Sequence, residues 1–321
     1  MYHATADLAG GFAPYTLAVS FPPPIPVTIP TDALARHSLL GIALVLGSAA
    51  AASTIGPLIR MMEDATGWQI IFYRSLAMLV ALAAYLVMRA GRHAGVRLVR
   101  MGWRSVVGGI CMGAATSMGT WAFLNTKVAN VLFITGAAPF VTGLVAWALL
   151  GERVRRGTWG AIAIGFVGIA IMAGDGLAHG QILGDALALG STVAYAFLVV
   201  AMRAERAAED MIPMLMVGAA VATGIGAFLA SDLAVSLRDL GLAIALGAGT
   251  SFLAYVLITL GARHVRAGEL TLLASVEMVL GPTWVWLLID EVPASAVLMG
   301  GTFVIAAIVV QGVLTARARR A

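Results

Sequence analysis

"LLGIALVLGSAAA" (Leu39 to Ala51) and "ILGDALALGSTVA" (Ile182 to Ala194) are the stretches whose comparison decides the fold. They agree at eight of thirteen positions. A second pair, "WALLGERV" (Trp147 to Val154) and "WLLIDEVP" (Trp286 to Pro293), aligns Trp147 with Trp286 and Glu152 with Glu291. The two offsets, 143 and 139, differ by a loop-sized gap. The chain therefore reads as one unit written twice, and internal repeats redefine a fold.

Each copy of that unit is almost wholly apolar. The 321 residues are 60% hydrophobic and 11% charged, with a mean hydropathy of +0.95. A soluble domain carries roughly 25% charged residues, so this chain has too little polar surface for water. Strands of an outer-membrane barrel alternate polar and apolar residues. Here the apolar residues form unbroken blocks, which points to an all-α integral membrane protein surrounded by lipid. The net charge of +4 does not point to nucleic acid, because the basic residues sit in short clusters between the blocks. A single cysteine, Cys111, and five scattered histidines leave no disulfide and no Cys/His metal set. Residues 1–37 contain "FPPPIPVTIP" and read as a flexible Pro-rich cytoplasmic tail rather than a cleaved leader.

A span needs about 20 mostly apolar residues. Ten blocks qualify: 38–56, 69–88, 105–124, 128–150, 158–174, 182–202, 211–229, 240–260, 268–289 and 295–315. With the N-terminus inside, sixteen arginines fall in inner segments, and only Arg60, Lys127 and Arg238 fall in outer ones. That asymmetry places both termini in the cytoplasm, which requires an even span count. Ten spans in two copies give five per copy, over 38–175 and 182–316. An odd number forces the second copy into the membrane from the opposite side. Two inverted five-helix repeats are a transporter architecture, with the site near the midplane between them.

The ten-span layout, with "LLGER" closing span 4 and "LIDE" closing span 9, resembles the drug/metabolite transporter superfamily, EamA-like branch. The resemblance runs from Ser38 to about Ala316. It implies a multi-pass inner (plasma) membrane secondary transporter, often an exporter of amino acids or other small metabolites. It also implies a cavity lined mainly by spans 1, 3, 4, 6, 8 and 9. Many relatives have a Glu-Pro pair early in span 9. Glu277 falls on that Glu, but Met278 follows it and the proline stands at Pro282.

Glu277 lies roughly 13 Å into span 9 at the helical rise. An ionised acid at that depth costs about 2.5–3.5 kcal/mol on insertion scales, so Glu277 is the candidate for substrate binding or proton coupling. The bland alternative is a protonated side chain hydrogen-bonded to a neighbouring helix. Arg74, in "FYRSL", is the one basic residue inside a span, roughly 7 Å deep. Its long stem favours snorkelling to the membrane surface over pairing with Glu277. Trp284 shares a helix face with Glu277. Tyr195 and Tyr255 lie deep enough in spans 6 and 8 to line a cavity. Glu152 and Glu291 end spans 4 and 9, where a structural turn-fixing role is favoured over gating. Pro139 and Pro282 interrupt the same two spans, kinking them or freeing carbonyls.

A membrane enzyme and a ligand sensor are the competing classes. No inner loop has two Asp at helical spacing for metal-pyrophosphate chemistry, and no His lies near the Ser of "GAGTSF". No P-loop is present, so ATP-driven pumping is disfavoured. The expectation is a non-enzymatic transporter with no cofactor. Its partners would be a small molecule and the lipid bilayer, and a homodimer is compatible with the sequence.

Overall fold

The computed structural model describes residues 31–99, 101–151, 156–205, 211–265 and 267–318. Every regular element among them is helical, and ten helical stretches are long and apolar enough to cross a membrane. They are Leu39–Arg60, Gly67–Val99, Trp103–Asn125, Val128–Leu150, Thr158–Ala178, Ile182–Ala201, Ile212–Leu229, Leu237–Gly261, Leu272–Ile289 and Ser295–Leu314, here spans 1 to 10. Each overlaps the block expected from sequence. The first helix begins at Thr31, inside the segment read as a tail, and residues 1–30 lie outside the described residues. Long apolar side chains such as Val80, Met88, Leu149 and Leu287 stand exposed on the bundle. A surface of that kind suits hydrocarbon, not water.

Span 3 lies along span 6, span 1 along span 8, span 5 along span 10 and span 2 along span 7. Span 3 also meets span 7, and span 2 meets span 8. Exchanging spans 1–5 for spans 6–10 turns each of these contacts into another of the same set. Spans 5 and 10 cross at Gly168 and Gly300, where a methyl group on either would strike the other's carbonyl. Small residues allow such close backbone approach in lipid, where no hydrophobic drive pushes helices together.

Three spans are broken. Span 1 divides at Thr54 into Thr31–Ser53 and Ile55–Arg60, because Pro57 has no N–H for the Ser53 carbonyl and its ring clashes there. Span 4 divides at Ala137 into Val128–Gly136 and Ala138–Leu150. Span 9 divides into Ala267–Ala274 and Glu277–Ile289. The parts of span 9 start 139 residues after the corresponding parts of span 4. Both second parts have 13 residues, and both end in a left-handed cap, at Gly151 and Asp290. Pro139 stands in the first turn after its break, where a missing N–H is tolerated. Pro282 does not interrupt span 9 as expected: it lies inside the helix Glu277–Ile289, and the break comes earlier, before Glu277.

Span 8 is continuous but changes pitch. Residues Ala245–Ser251 are π-helical, between α-helical Leu237–Ile244 and Phe252–Gly261. On the arginine-poor side of the bundle, its leading end is tied to the entry of span 2. Asp239 accepts from the amides of Asp64 (2.9 Å) and Ala65 (2.8 Å). Gln69, which closes a capping box with Thr66, donates to Asp232 at 2.7 Å. Arg238 pairs with Glu63 at 3.0 Å.

Two apolar clusters form the interior. One gathers Ile59, Phe133, Phe140, Met172, Met278 and Val304, around the broken spans 4 and 9. The other holds Met78, Leu82, Met112, Leu198 and Leu215, from spans 2, 3, 6 and 7, with Phe252 and Tyr255 packed against it.

Candidate functional site

The break in span 9 delivers the first functional side chain. Glu277 is the first residue of the helix Glu277–Ile289, so its carboxylate sits beside a helix start in the interior of a span. The amides of Met278 and Val279 are taken by the carbonyls of Ser275 and Val276, at 3.0 and 3.1 Å. The Glu277 side chain remains partly accessible and makes no hydrogen bond or ion pair with any described residue. The alternative of a glutamic acid hydrogen-bonded to a neighbouring helix is not what the structure has.

Arg74 comes from span 2 and points inward. The expected snorkelling to the membrane surface does not occur, because its side chain is 7% exposed. Nη1 donates to Thr120 Oγ1 (2.9 Å) on span 3, and Nη2 donates to Ser251 Oγ (3.2 Å) on the π-helical stretch of span 8. The Thr120 hydroxyl donates to the Thr116 carbonyl at 2.9 Å, leaving its lone pairs for Arg74. Hydroxyls thus hold the guanidinium, and no carboxylate among the described residues lies within ion-pair distance. A cation buried within a span without a counter-ion is costly, and such groups mark pathways by default.

Two tyrosines link these ions. Tyr255, one turn beyond Ser251 on span 8, lies within electrostatic reach of Tyr195, Arg74 and Glu277. Tyr195 on span 6 is likewise within reach of Glu277. It is 38% exposed. Four of the five residues singled out for binding or coupling therefore converge: Arg74, Tyr195, Tyr255 and Glu277. They come from spans 2, 6, 8 and 9.

Trp284 is set apart from that group. Its indole N–H donates to Ser53 Oγ at 3.1 Å, at the break in span 1. There it walls a cavity of about 350 Å³ with Thr54, Pro57, Leu58, Met61 and Leu288. Thr54 Oγ1 lies 3.1 Å from Thr250 Oγ1, which connects this seam to the π-helical stretch holding Arg74. The sequence reading missed Thr120, Ser53 and Thr250, and weighed Ser251 only as a nucleophile for hydrolysis. Hydroxyls inside apolar runs were the available signal, but their partners are set only by helix packing.

Glu291 closes span 9 on the arginine-poor side. Its Oε1 accepts from the Val128 amide (2.8 Å), a free donor at the start of span 4. Its Oε2 lies 3.5 Å from Arg60 Nε at the end of span 1. Arg60 Nη2 in turn donates to the Thr126 carbonyl at 2.6 Å. Glu152, its counterpart at the end of span 4, lies outside the described residues.

Comparison with known proteins adds a family and a fold. Residues 39–174 match the model of the EamA-like transporter family, a stretch that covers spans 1 to 4 and most of span 5. A solved structure described only as "Crystal structure of protein" superposes with a TM-score of 0.60 at 18% identity, over 88% of this chain and 99% of that one. At that identity it speaks for the fold alone. No curated protein matches. The chain is a multi-pass membrane protein, and its residues 39–174 are similar to the EamA-like transporter family, part of the drug/metabolite transporter superfamily.

Proposed function

We propose that this protein is a secondary transporter of small zwitterionic metabolites of the amino-acid class, working as an exporter in the inner (plasma) membrane. The observation that carries the reading is the shared interior of Arg74 and Glu277. Neither ion has a counter-charge among the described residues, and Tyr255 lies within reach of both. A substrate carboxylate would take the place of the missing acid at Arg74, and its ammonium group that of the missing base at Glu277. Tyr195 and Tyr255 would flank the body of the molecule.

Alternating access between two inverted repeats would move this chamber from one side to the other. The matching breaks of spans 4 and 9, their matching left-handed caps and the exchange-symmetric packing support that reading. A half-helix start inside a span is also where transporters place charged groups of their substrates. Both termini on the cytoplasmic side follow from the arginine distribution. When the substrate leaves, Glu277 would take up a proton, coupling transport to the proton gradient.

Proteoliposome counterflow with radiolabelled amino acids tests the proposal. Wild type should exchange at least one zwitterion, and Glu277→Gln should abolish exchange while its melting temperature stays close to wild type. Exchange by Glu277→Gln at the wild-type rate, with unchanged pH dependence, would remove both roles given to this residue.

A further inference from the structure

A second polar pocket lies away from the chamber, where the ends of spans 3, 4 and 6 meet on the arginine-poor side. Asp185 is the fourth residue of the helix Ile182–Glu205 and is 5% exposed. Its Oδ1 accepts from the Thr126 hydroxyl (2.8 Å) and from Asn130 Nδ2 (3.1 Å). Its Oδ2 is buried and has no hydrogen-bond partner. Asn130 is fully buried, and its Oδ1 is also without a partner. The Gln181 amide oxygen also accepts from the Thr126 hydroxyl, at 3.3 Å. On the far side Gly176 of span 5 presents only hydrogen to Asp185 Oδ2, and a methyl group there would strike that oxygen.

None of the ion pairs among the described residues includes Asp185. Arg60, which donates to the Thr126 carbonyl, is engaged by Glu291. A buried carboxylate oxygen and a buried amide oxygen, both without donors, are expensive unless something positive satisfies them. The donors are all oxygen, which selects a hard cation. One carboxylate neutralises one positive charge, whereas a divalent ion would leave an excess beside the Arg60 guanidinium. Among the described residues no group of three His, Cys, Asp or Glu exists to hold a transition metal.

We propose that Asp185, Asn130, Thr126 and Gln181 form a binding site for a monovalent cation of the sodium type. The site draws Thr126 and Asn130 from the first five spans, and Asp185 from the sixth. An ion held there fastens this end of the bundle in the conformation described, and so favours that conformation over any in which the spans part. The site stands on its own donors and does not depend on what the central chamber transports.

Thermal unfolding of the purified full chain in detergent tests it, in NaCl, KCl and choline chloride at equal ionic strength. Scintillation-proximity binding of ²²Na⁺ to wild type gives a direct reading that needs no variant. Wild type should melt higher in Na⁺ than in choline, with the shift growing at each tenfold rise in concentration until saturation. Asp185→Asn should lose the shift and the ²²Na⁺ signal. Thr126→Ser should keep the Na⁺ response and Thr126→Val should weaken it, which covers the case of an Asp185→Asn chain that does not fold. Equal melting in Na⁺ and choline with no ²²Na⁺ bound would overturn the proposal, as would a Na⁺ shift of undiminished size in Asp185→Asn. Stability that follows pH but not Na⁺ would also overturn it, and would make Asp185 a proton site.

Discussion

Removing the carboxylate of Glu291 should loosen the end of the bundle where spans 1, 4 and 9 meet, by an amount set by two contacts of unequal strength. The hydrogen bond from the Val128 amide, 2.8 Å long, is made to a charged acceptor, and such bonds contribute about 1.5–3 kcal/mol. The pairing with Arg60 is longer, 3.5 Å, and its side chains are 28% and 18% exposed. A partly solvated pair of that kind adds up to about 1 kcal/mol. Glu291→Ala loses both and leaves a helix-start amide with no acceptor, so it should cost about 2–4 kcal/mol. Glu291→Gln keeps a neutral acceptor for Val128 and should cost about half as much. Arg60→Met removes the weak pair and also the 2.6 Å bond to the Thr126 carbonyl. Combining it with Glu291→Ala should cost less than the sum of the two, because the mutual term is counted in each. Chemical unfolding in mixed micelles measures all four variants. Equal losses for Glu291→Gln and Glu291→Ala would refute the leading place given to the Val128 bond, and no loss for Glu291→Ala would refute the whole account.

Other outcomes follow from the same contacts. Arg74→Met should leave the protein as stable as wild type or more so, since an unpaired buried charge is replaced by apolar volume. Counterflow of zwitterions should nonetheless fall by at least about tenfold, roughly 1.4 kcal/mol, and a drop in melting temperature that parallels the lost transport would contradict this. Gly168→Leu forces spans 5 and 10 apart where Gly300 leaves no room. Overpacking of this kind costs about 1–3 kcal/mol, and melting temperature reads it. Pro57→Ala restores the amide that the Ser53 carbonyl lacks and should heal the break in span 1, raising the melting temperature while slowing counterflow. A transport rate unchanged in that variant would show that the break has no part in the cycle.

Much of the architecture was legible because lipid imposes a coarse rule. Apolar blocks separated by arginines mark the spans, and all ten appear where the blocks lie. The break in span 1 has a local cause, Pro57, which the sequence reading passed over. The break before Glu277 has no such proline. Pro282 is the only proline within span 9, and it stands inside the second helix, beyond the break. For the site, residue type was a good guide to membership and a poor one to partnership. An acid, an arginine and two tyrosines in apolar runs were conspicuous, and the fold brings them together. That Arg74 turns inward depends on the hydroxyls of Thr120 and Ser251, which helices far apart in sequence supply. Asp185 stood in plain view, four residues into an apolar helix, yet only packing reveals that one of its oxygens lacks a donor.

The change of pitch in span 8 joins two α-helical segments through a turn wider than an α turn. The leading segment is keyed to the entry of span 2 through Asp239, and the trailing one presents Tyr255 to the chamber, with Ser251 at the junction. A π turn holds about one residue more than an α turn, so deleting a single residue between Ala245 and Ser251 would restore α-helical pitch. The trailing segment, with Tyr255, would keep its angle to the anchored leading one. What would be lost is the wide turn on which Ser251 meets Arg74. The turn thus absorbs an extra residue without rotating either flank, and a deletion there should loosen Arg74 while leaving the outer mount assembled.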